Sequence, residues 1–169
     1  MSAMQRNKGR AGEQEVARLI RDHLGLDITR AWQRQAARKS NSDLDGLPGW
    51  AVEVKWAKTW RSEWWEQAQD QGIMENATPA LVYRLDQKGV GLPPILKWRV
   101  IVPLAAICSE DVDPDHTAEI TLAAWMQIIR ERIDARDTAA ELASRAAPPP
   151  VPRHSRRLRQ VPKTTPNAA

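Results

Sequence analysis

The segment SDLDGLPGWAVEVKW places two carboxylates and an ammonium group, those of Asp43, Glu53 and Lys55, within thirteen residues of each other. Residues 50–56 have the β-branched and aromatic content of a strand. Because successive side chains of a strand point to opposite faces, the two valines and Trp56 share one face, and Glu53 and Lys55 share the other. The apolar face would pack on a core, while the other face would present a carboxylate beside an ammonium group.

The short Leu-Pro-Gly connection before this strand predicts that the preceding strand runs antiparallel to it. Asp43 and Asp45 would then approach the face that carries Glu53 and Lys55. Carboxylate oxygens suit Mg²⁺, which lowers the pKa of an attacking water, and a nearby lysine orients that water or stabilises developing charge. A cluster of carboxylates and a lysine is therefore suited to phosphodiester hydrolysis. The alternative is a solvent-facing strand whose Glu–Lys pair is a surface ion pair worth ~0–1 kcal/mol.

A further carboxylate, Glu13, lies on the apolar stripe of a predicted helix, three residues before Val16 and seven before Ile20. An unpaired charge facing inwards is costly, so this position needs an explanation. One explanation is that Glu13 interacts favourably with the positive end of the helix. The other is that it reaches the cluster of acidic residues across the sheet.

The elements that must position these side chains follow from periodicity and from glycine and proline breaks. Helices are predicted over residues 12–24, 60–71 and 119–147, the last being one long helix or two with a bend. Gly25 ends the first helix, and Gly72 and Pro79 break the chain after the second. Strands are predicted over residues 26–33, 42–47, 50–56, 80–85 and 98–102. The order predicts a mixed α/β domain: helix, three strands, helix, two strands, helix.

Composition excludes several classes of protein. Hydrophobic residues make up 42% of the 169-residue chain, and no apolar run approaches the ~20 residues of a membrane span. The polar start lacks the apolar region of a signal peptide, and one cysteine, Cys108, excludes an internal disulfide. These features predict a protein of the reducing cytoplasm, with no membrane partner.

Four motifs in this order resemble the PD-(D/E)XK nuclease superfamily: KGRAGEQEVARLI, SDLDG, WAVEVKW and WWEQAQDQ. They look most like the Holliday-junction-resolvase-like endonucleases of phages and prophages, over about residues 5–105. The resemblance implies a restriction-endonuclease-like αβββαβ core with a mixed central sheet flanked by helices. We assign residues 1–110 to this nuclease core, 111–145 to a C-terminal helical extension, and 146–169 to a disordered tail rich in proline and arginine.

The resemblance also implies roles for individual residues. The catalytic set would be Glu13, Asp43, Glu53 and Lys55, with Gln67 as the polar fifth member. Asp43, Glu53 and Glu13 would bind Mg²⁺ or Mn²⁺, and Asp45 is the alternative to Asp43. Asp43 is favoured because Leu44 follows it as the motif expects. Ser42 stands where the name of the superfamily places proline.

Basic residues near the proposed cleft are candidate phosphate contacts, although solvated surface explains them equally well. They are Arg6, Lys8 and Arg10 before the first helix, and Arg30, Arg34, Arg38 and Lys39 further on. The tail holds five basic residues and no acid, and it is either a solvated linker or a basic arm for phosphates. Trp56, Trp60, Trp64 and Trp65 crowd the site; packing is favoured over stacking on unpaired bases.

The predicted function is a DNA endonuclease that uses Mg²⁺ or Mn²⁺ and prefers branched DNA such as Holliday junctions. A homodimer is implied, because a resolvase must cut two strands. The alternatives are a restriction-like or nicking nuclease on duplex DNA, a non-catalytic nucleic-acid-binding module on the same fold, and a structural or interaction protein. The resemblance also points to a bacterial host cell and a phage or prophage origin.

Overall fold

A computed structural model describes residues 3–31, 42–86, 91–108, 112–113 and 115–146 of the chain. The candidate phosphate contacts Arg34, Arg38 and Lys39, and the predicted tail beyond residue 146, lie outside these ranges. Within the described part, no helix has the length and apolar character needed to cross a membrane.

A six-stranded mixed sheet flanked by helices forms the domain, which confirms the predicted α/β class. In chain order the elements are α1 (Ala3–Leu24), β1 (Thr29–Arg30), β2 (Leu44–Asp45), β3 (Trp50–Ala57), α2 (Glu63–Glu75), β4 (Thr78–Leu85), α3 (Pro94–Lys97), β5 (Arg99–Pro103), β6 (Thr117–Thr121) and α4 (Leu122–Ala146). The strands lie side by side in sequence order, and only β3 and β4 are parallel. That parallel pair needs a crossover, and α2 supplies it.

The two faces of β3 divide as alternation predicts. Val52 and Val54 belong to a buried cluster that includes side chains of α1 and α4. Glu53 and Lys55 contact side chains of α2 on the opposite face. One face of β3 therefore packs on the main core, and the other, polar face contacts α2.

The first helix is longer than its apolar stripe predicts, since α1 begins at Ala3 and not near residue 12. Arg6, Lys8 and Arg10 consequently lie within the helix and not before it. Gly12 lies inside this helix and packs closely against a tryptophan, since a Cβ there would lie 3.1 Å from Trp98 Cη2.

The C-terminal region also departs from the prediction. Thr117–Thr121 form β6, the edge strand beside β5, and the helix predicted from Glu119 begins at Leu122. Thr117, Thr121 and Ile120 have the β-branched side chains of a strand, and long-range pairing with β5 outweighs the apolar periodicity of the next residues. The apolar residues between positions 120 and 129 contribute to the core, because Leu122, Trp125, Met126 and Ile129 are buried.

The second helix lies further along the chain than predicted. It ends at Glu75, and Asn76 caps it in the left-handed conformation. Gly72, predicted to break the chain, is a buried helical residue, and a Cβ on it would lie 2.9 Å from the Ala77 carbonyl oxygen. Trp60, predicted as helical, lies in the connection between β3 and α2.

Gly46 provides a stability test of the loop that carries Asp43. Its φ is +101°, and a Cβ would lie 2.3 Å from the Asp27 carbonyl oxygen. We expect Gly46→Ala to lower the free energy of unfolding by about 1–3 kcal/mol from backbone strain alone, with the clash adding to this loss. Gly91→Ala is the control, since its Cβ would meet nothing within 4 Å. Urea denaturation in which both variants match the wild type would contradict this account.

Candidate active site

Glu53 is the buried centre of the polar face of β3. Only 2% of it is exposed, and one carboxylate oxygen forms an ion pair with Lys55. The Gln71 side-chain amide donates to its other oxygen. Burying a carboxylate costs free energy unless it is paired and hydrogen-bonded, and both conditions are met here.

The α2 helix presents a polar stripe to this face at positions four residues apart. Lys55 Nζ donates to Gln67 Oε1 at 3.0 Å, and Gln71 contacts Glu53. One turn further on, the Glu75 carboxylate accepts from Ser42, with 2.8 Å to the backbone nitrogen and 2.9 Å to Oγ. Residues at this spacing share one helix face, so a single helix orients β3 and the loop before Asp43.

Asp43 is held against β3 by the antiparallel pairing that the turn predicts. Its backbone nitrogen donates to the Val52 carbonyl at 2.8 Å, and the Val54 backbone nitrogen donates to Asp43 Oδ2 at 2.8 Å. Ser42 Oγ accepts from the Val52 nitrogen at 3.2 Å. Ser42, which stands where the superfamily name has proline, therefore connects the loop to both β3 and α2 through hydrogen bonds.

The pKa of Asp43 depends on its burial and on the charged residues around it. Burial, followed by repulsion from Glu53 and Glu13, raises the pKa of Asp43 from 3.8 to about 8, although the Val54 amide and Lys55 act in the opposite direction. Asp43, Glu53, Glu13 and Lys55 therefore share one electrostatic environment. The structure brings these four predicted residues together, and Gln67 joins them through Lys55.

Glu13 pairs with Arg30 across the edge of the sheet. Both side chains are 16% exposed, so the inward carboxylate is compensated by a cation of β1. Asp45 lies on β2 opposite Thr29 and is half-buried. Asp45 does not appear among the charges that shift the pKa of Asp43.

Comparison with known proteins supplies the family. The model of the family described as "Phage putative PDDEXK endonuclease" matches residues 4–140. The chain belongs to this family. The match spans α1 to the middle of α4 and includes every residue of the cluster, as well as the strand β6 that the sequence did not predict. Family membership supports a nuclease, and the six-stranded sheet with its helices is consistent with a restriction-endonuclease-like core.

A curated relative comes from a phage as well. Protein D14 of Escherichia phage T5 is 26% identical over 113 residues, which cover 52% of this chain and 68% of the phage protein. This distant similarity agrees with the phage character of the PD-(D/E)XK family.

Nucleases of the PD-(D/E)XK type generally use divalent metals, and the chemistry of the cluster fits one. Among the described residues, no group of three or more metal-ligating side chains is arranged to hold a metal ion. Glu13 instead contacts Arg30, and Glu53 contacts Lys55. The donors are nevertheless hard carboxylate oxygens, which suit Mg²⁺ or Mn²⁺. Burial, followed by repulsion from Glu53 and Glu13, raises the pKa of Asp43, and a bound divalent cation would favour its ionised form.

The candidate phosphate contacts have partners within the protein. Lys8 pairs with Asp86, and its ammonium nitrogen lies 5.3 Å from the centre of the Trp56 ring. Arg6 and Arg10 are exposed residues of α1 that also make interactions. Their role in binding DNA stays a prediction.

Sequence reasoning missed Gln71 and Glu75, which hold Glu53 and the Ser42 backbone. A signal was present, because polar residues recur every four positions at Gln67, Gln71 and Glu75, the first two within WWEQAQDQ and the third just after it. Arg30 was considered only for phosphate, while the structure pairs it with Glu13.

Proposed function

We propose that this protein is a metal-dependent DNA endonuclease that hydrolyses phosphodiester bonds. The observation that supports it best is the gathering of Asp43, Glu53, Glu13 and Lys55 in one environment within a PD-(D/E)XK family chain. A surface ion pair would be solvated, whereas Glu53 is buried and fastened from two sides. A module that only binds nucleic acid would favour basic residues at this position.

Each member of the cluster has a role in this proposal. Asp43 and Glu53 hold Mg²⁺ or Mn²⁺, and Glu13 completes the site, with Asp45 as the alternative to Asp43. The metal, when bound, acidifies the attacking water and offsets charge on the leaving oxygen. Lys55 orients that water or stabilises the charge that develops on the phosphate. Gln67 keeps the Lys55 ammonium directed to the cluster by accepting its hydrogen bond.

The proposed substrate is branched DNA such as a Holliday junction, following the resemblance of the motifs. Resolving a junction requires two cuts in strands related by symmetry, so we propose a homodimer that acts in the cytoplasm of a bacterial host. Light scattering on the purified protein, alone and with a junction, tests the dimer.

Cleavage of matched substrates tests the function. A four-way junction and a linear duplex of the same arm sequence are incubated with Mg²⁺, Mn²⁺ or EDTA. We expect metal-dependent cleavage of the junction, weaker cleavage of the duplex and none in EDTA. Cleavage that survives EDTA would contradict the metal mechanism. Equal cleavage of both substrates would favour a restriction-like or nicking nuclease, and binding without cleavage in either metal would favour a non-catalytic module.

A further inference from the structure

Trp60 is the one exposed tryptophan among those that the structure describes, with 41% of its surface accessible. It lies in the connection between β3 and α2, where it contacts two aromatic rings in T-shaped arrangements. Its ring centre is 5.4 Å from that of Trp64 at 74°, and 4.8 Å from that of Tyr83 at 63°. An indole held in this way is preorganised, so a ligand that stacks on it pays little to order the side chain.

Strand register places this indole beside the proposed catalytic centre. Tyr83 of β4 pairs with Lys55 of β3 on one side and with Arg99 of β5 on the other. Paired residues of neighbouring strands project from the same face, and adjacent strands are about 4.8 Å apart. Lys55, Tyr83 and Arg99 therefore form a row across the sheet, with Trp60 resting on its middle member.

Three exposed cations lie near Trp60, together with the acidic Glu63 and Glu66 in the first turn of α2. Lys58 and Arg61 flank it in the chain, and both are exposed, as is Arg99. Glu119 lies nearby but accepts a hydrogen bond from the Tyr83 hydroxyl at 2.9 Å. An aromatic face among cations suits a nucleotide whose base is free to stack and whose phosphate needs a counter-charge. A base within an intact duplex has both faces covered by its neighbours and cannot use this indole.

We propose that Trp60 is the stacking platform for one unpaired nucleotide next to the cleaved phosphate, and that Arg99 contacts a phosphate of the same strand. The proposal rests on the proposed nuclease function and adds a reason for selecting branched or frayed DNA. A junction, flap or splayed end offers an unpaired base, whereas a continuous duplex does not.

Binding without metal tests the platform separately from cleavage. The probes are a fluorescently labelled single-stranded oligonucleotide and a blunt duplex of the same sequence, measured by anisotropy in EDTA. Because base stacking on an aromatic ring is worth about 1–3 kcal/mol, we expect Trp60→Ala to weaken single-strand binding about 5–150-fold, while duplex binding stays within about twofold. Trp60→Phe, which keeps an aromatic face, should restore most of the affinity.

Further variants separate stacking from packing and charge. Trp60→Leu fills space against Trp64 and Tyr83 without a π face, so it should behave like Trp60→Ala while melting close to the wild type. Arg99→Gln should make the salt dependence of single-strand binding shallower by about 0.7 in the log–log slope. Ile73→Ala, at an exposed apolar side chain near the other end of α2, is the control and should change neither affinity.

The outcomes are distinguishable from those of the cleavage test. The stacking platform would be overturned, even if the protein cleaves DNA, by either of two results. One is that Trp60→Ala weakens binding of the single strand and of the duplex equally, and the other is that Trp60→Leu binds the single strand with full affinity. A single-strand preference that depends on Trp60 in a protein that cleaves nothing would support the platform and contradict the proposed nuclease.

Discussion

Lys55→Ala is expected to slow metal-dependent cleavage by about 10²–10³-fold, the loss typical of removing one group that stabilises transition-state charge. The Lys55 ammonium contacts Glu53 and donates to Gln67, so it is held within the acidic cluster although its side chain is 24% exposed. Lys55→Arg should recover only part of the rate, since a planar guanidinium cannot take the place of a compact ammonium group. Initial rates on the junction substrate in Mg²⁺ measure both effects.

Controls must separate chemistry from folding, because removing Lys55 leaves the buried Glu53 without its cation. Rates are therefore compared well below the melting temperature of each variant, and binding of uncleaved DNA in EDTA is measured alongside. Arg136→Ala removes an exposed cation of α4 and should leave the rate unchanged. A Lys55→Ala protein that folds, binds DNA and cleaves at the wild-type rate would disprove the role assigned to Lys55.

The polar face of β3 could be predicted from the sequence because the rule that controls it is local. Alternation along a strand places Glu53 and Lys55 together whatever the rest of the chain does, and a short turn brings Asp43 alongside. The inward position of Glu13 also followed from helical spacing. Its ion pair with Arg30 did not follow, since it depends on where β1 lies relative to α1.

Long-range pairing accounts for most of what the sequence did not reveal. β6 forms because its backbone pairs with that of β5. Its five residues lead directly into α4, so the hydrophobic periodicity shows no boundary between the strand and the helix. Gly12 and Gly72 resemble helix breakers in sequence, yet each lies within a helix. The Ala77 carbonyl oxygen approaches Gly72 too closely for a Cβ, and Trp98 leaves only a tight space for one at Gly12. Glycine marks a turn or a close contact, and only the packed structure distinguishes the two.

Asp43→Asn is expected to abolish cleavage and, at the same time, to stabilise the metal-free protein. Burial and repulsion from Glu53 raise the pKa of Asp43 to about 8 in the folded state, against an ordinary value of 3.8. The folded state therefore prefers the neutral carboxyl, and ionisation of Asp43 progressively destabilises the wild type as the pH rises from about 4 to 8. Asparagine is neutral throughout and keeps an oxygen that can accept from the Val54 amide.

Thermal melting in EDTA over this pH range measures the stabilisation. The variant should melt close to the wild type near pH 4 and higher than it at pH 8, by roughly 4–10 °C if a few kcal/mol of repulsion are relieved. Adding Mg²⁺ should raise the melting temperature of the wild type more than that of the variant, because binding to the folded state alone is stabilising. A melting difference independent of pH would show that Asp43 is not the group under electrostatic strain.

Asp45→Asn is the matched control, and it decides between the two aspartates. The carboxylates that raise the pKa of Asp43 are Glu53 and Glu13, whereas Asp45 lies half-buried on β2, so we expect Asp45→Asn to leave the stability at pH 8 and the effect of Mg²⁺ as in the wild type. If Asp45→Asn abolishes cleavage while Asp43→Asn remains active, the ligand assignment is reversed. If both are needed for cleavage but only Asp43→Asn stabilises the metal-free protein, Asp43 belongs to the repelling carboxylates and Asp45 acts outside that group.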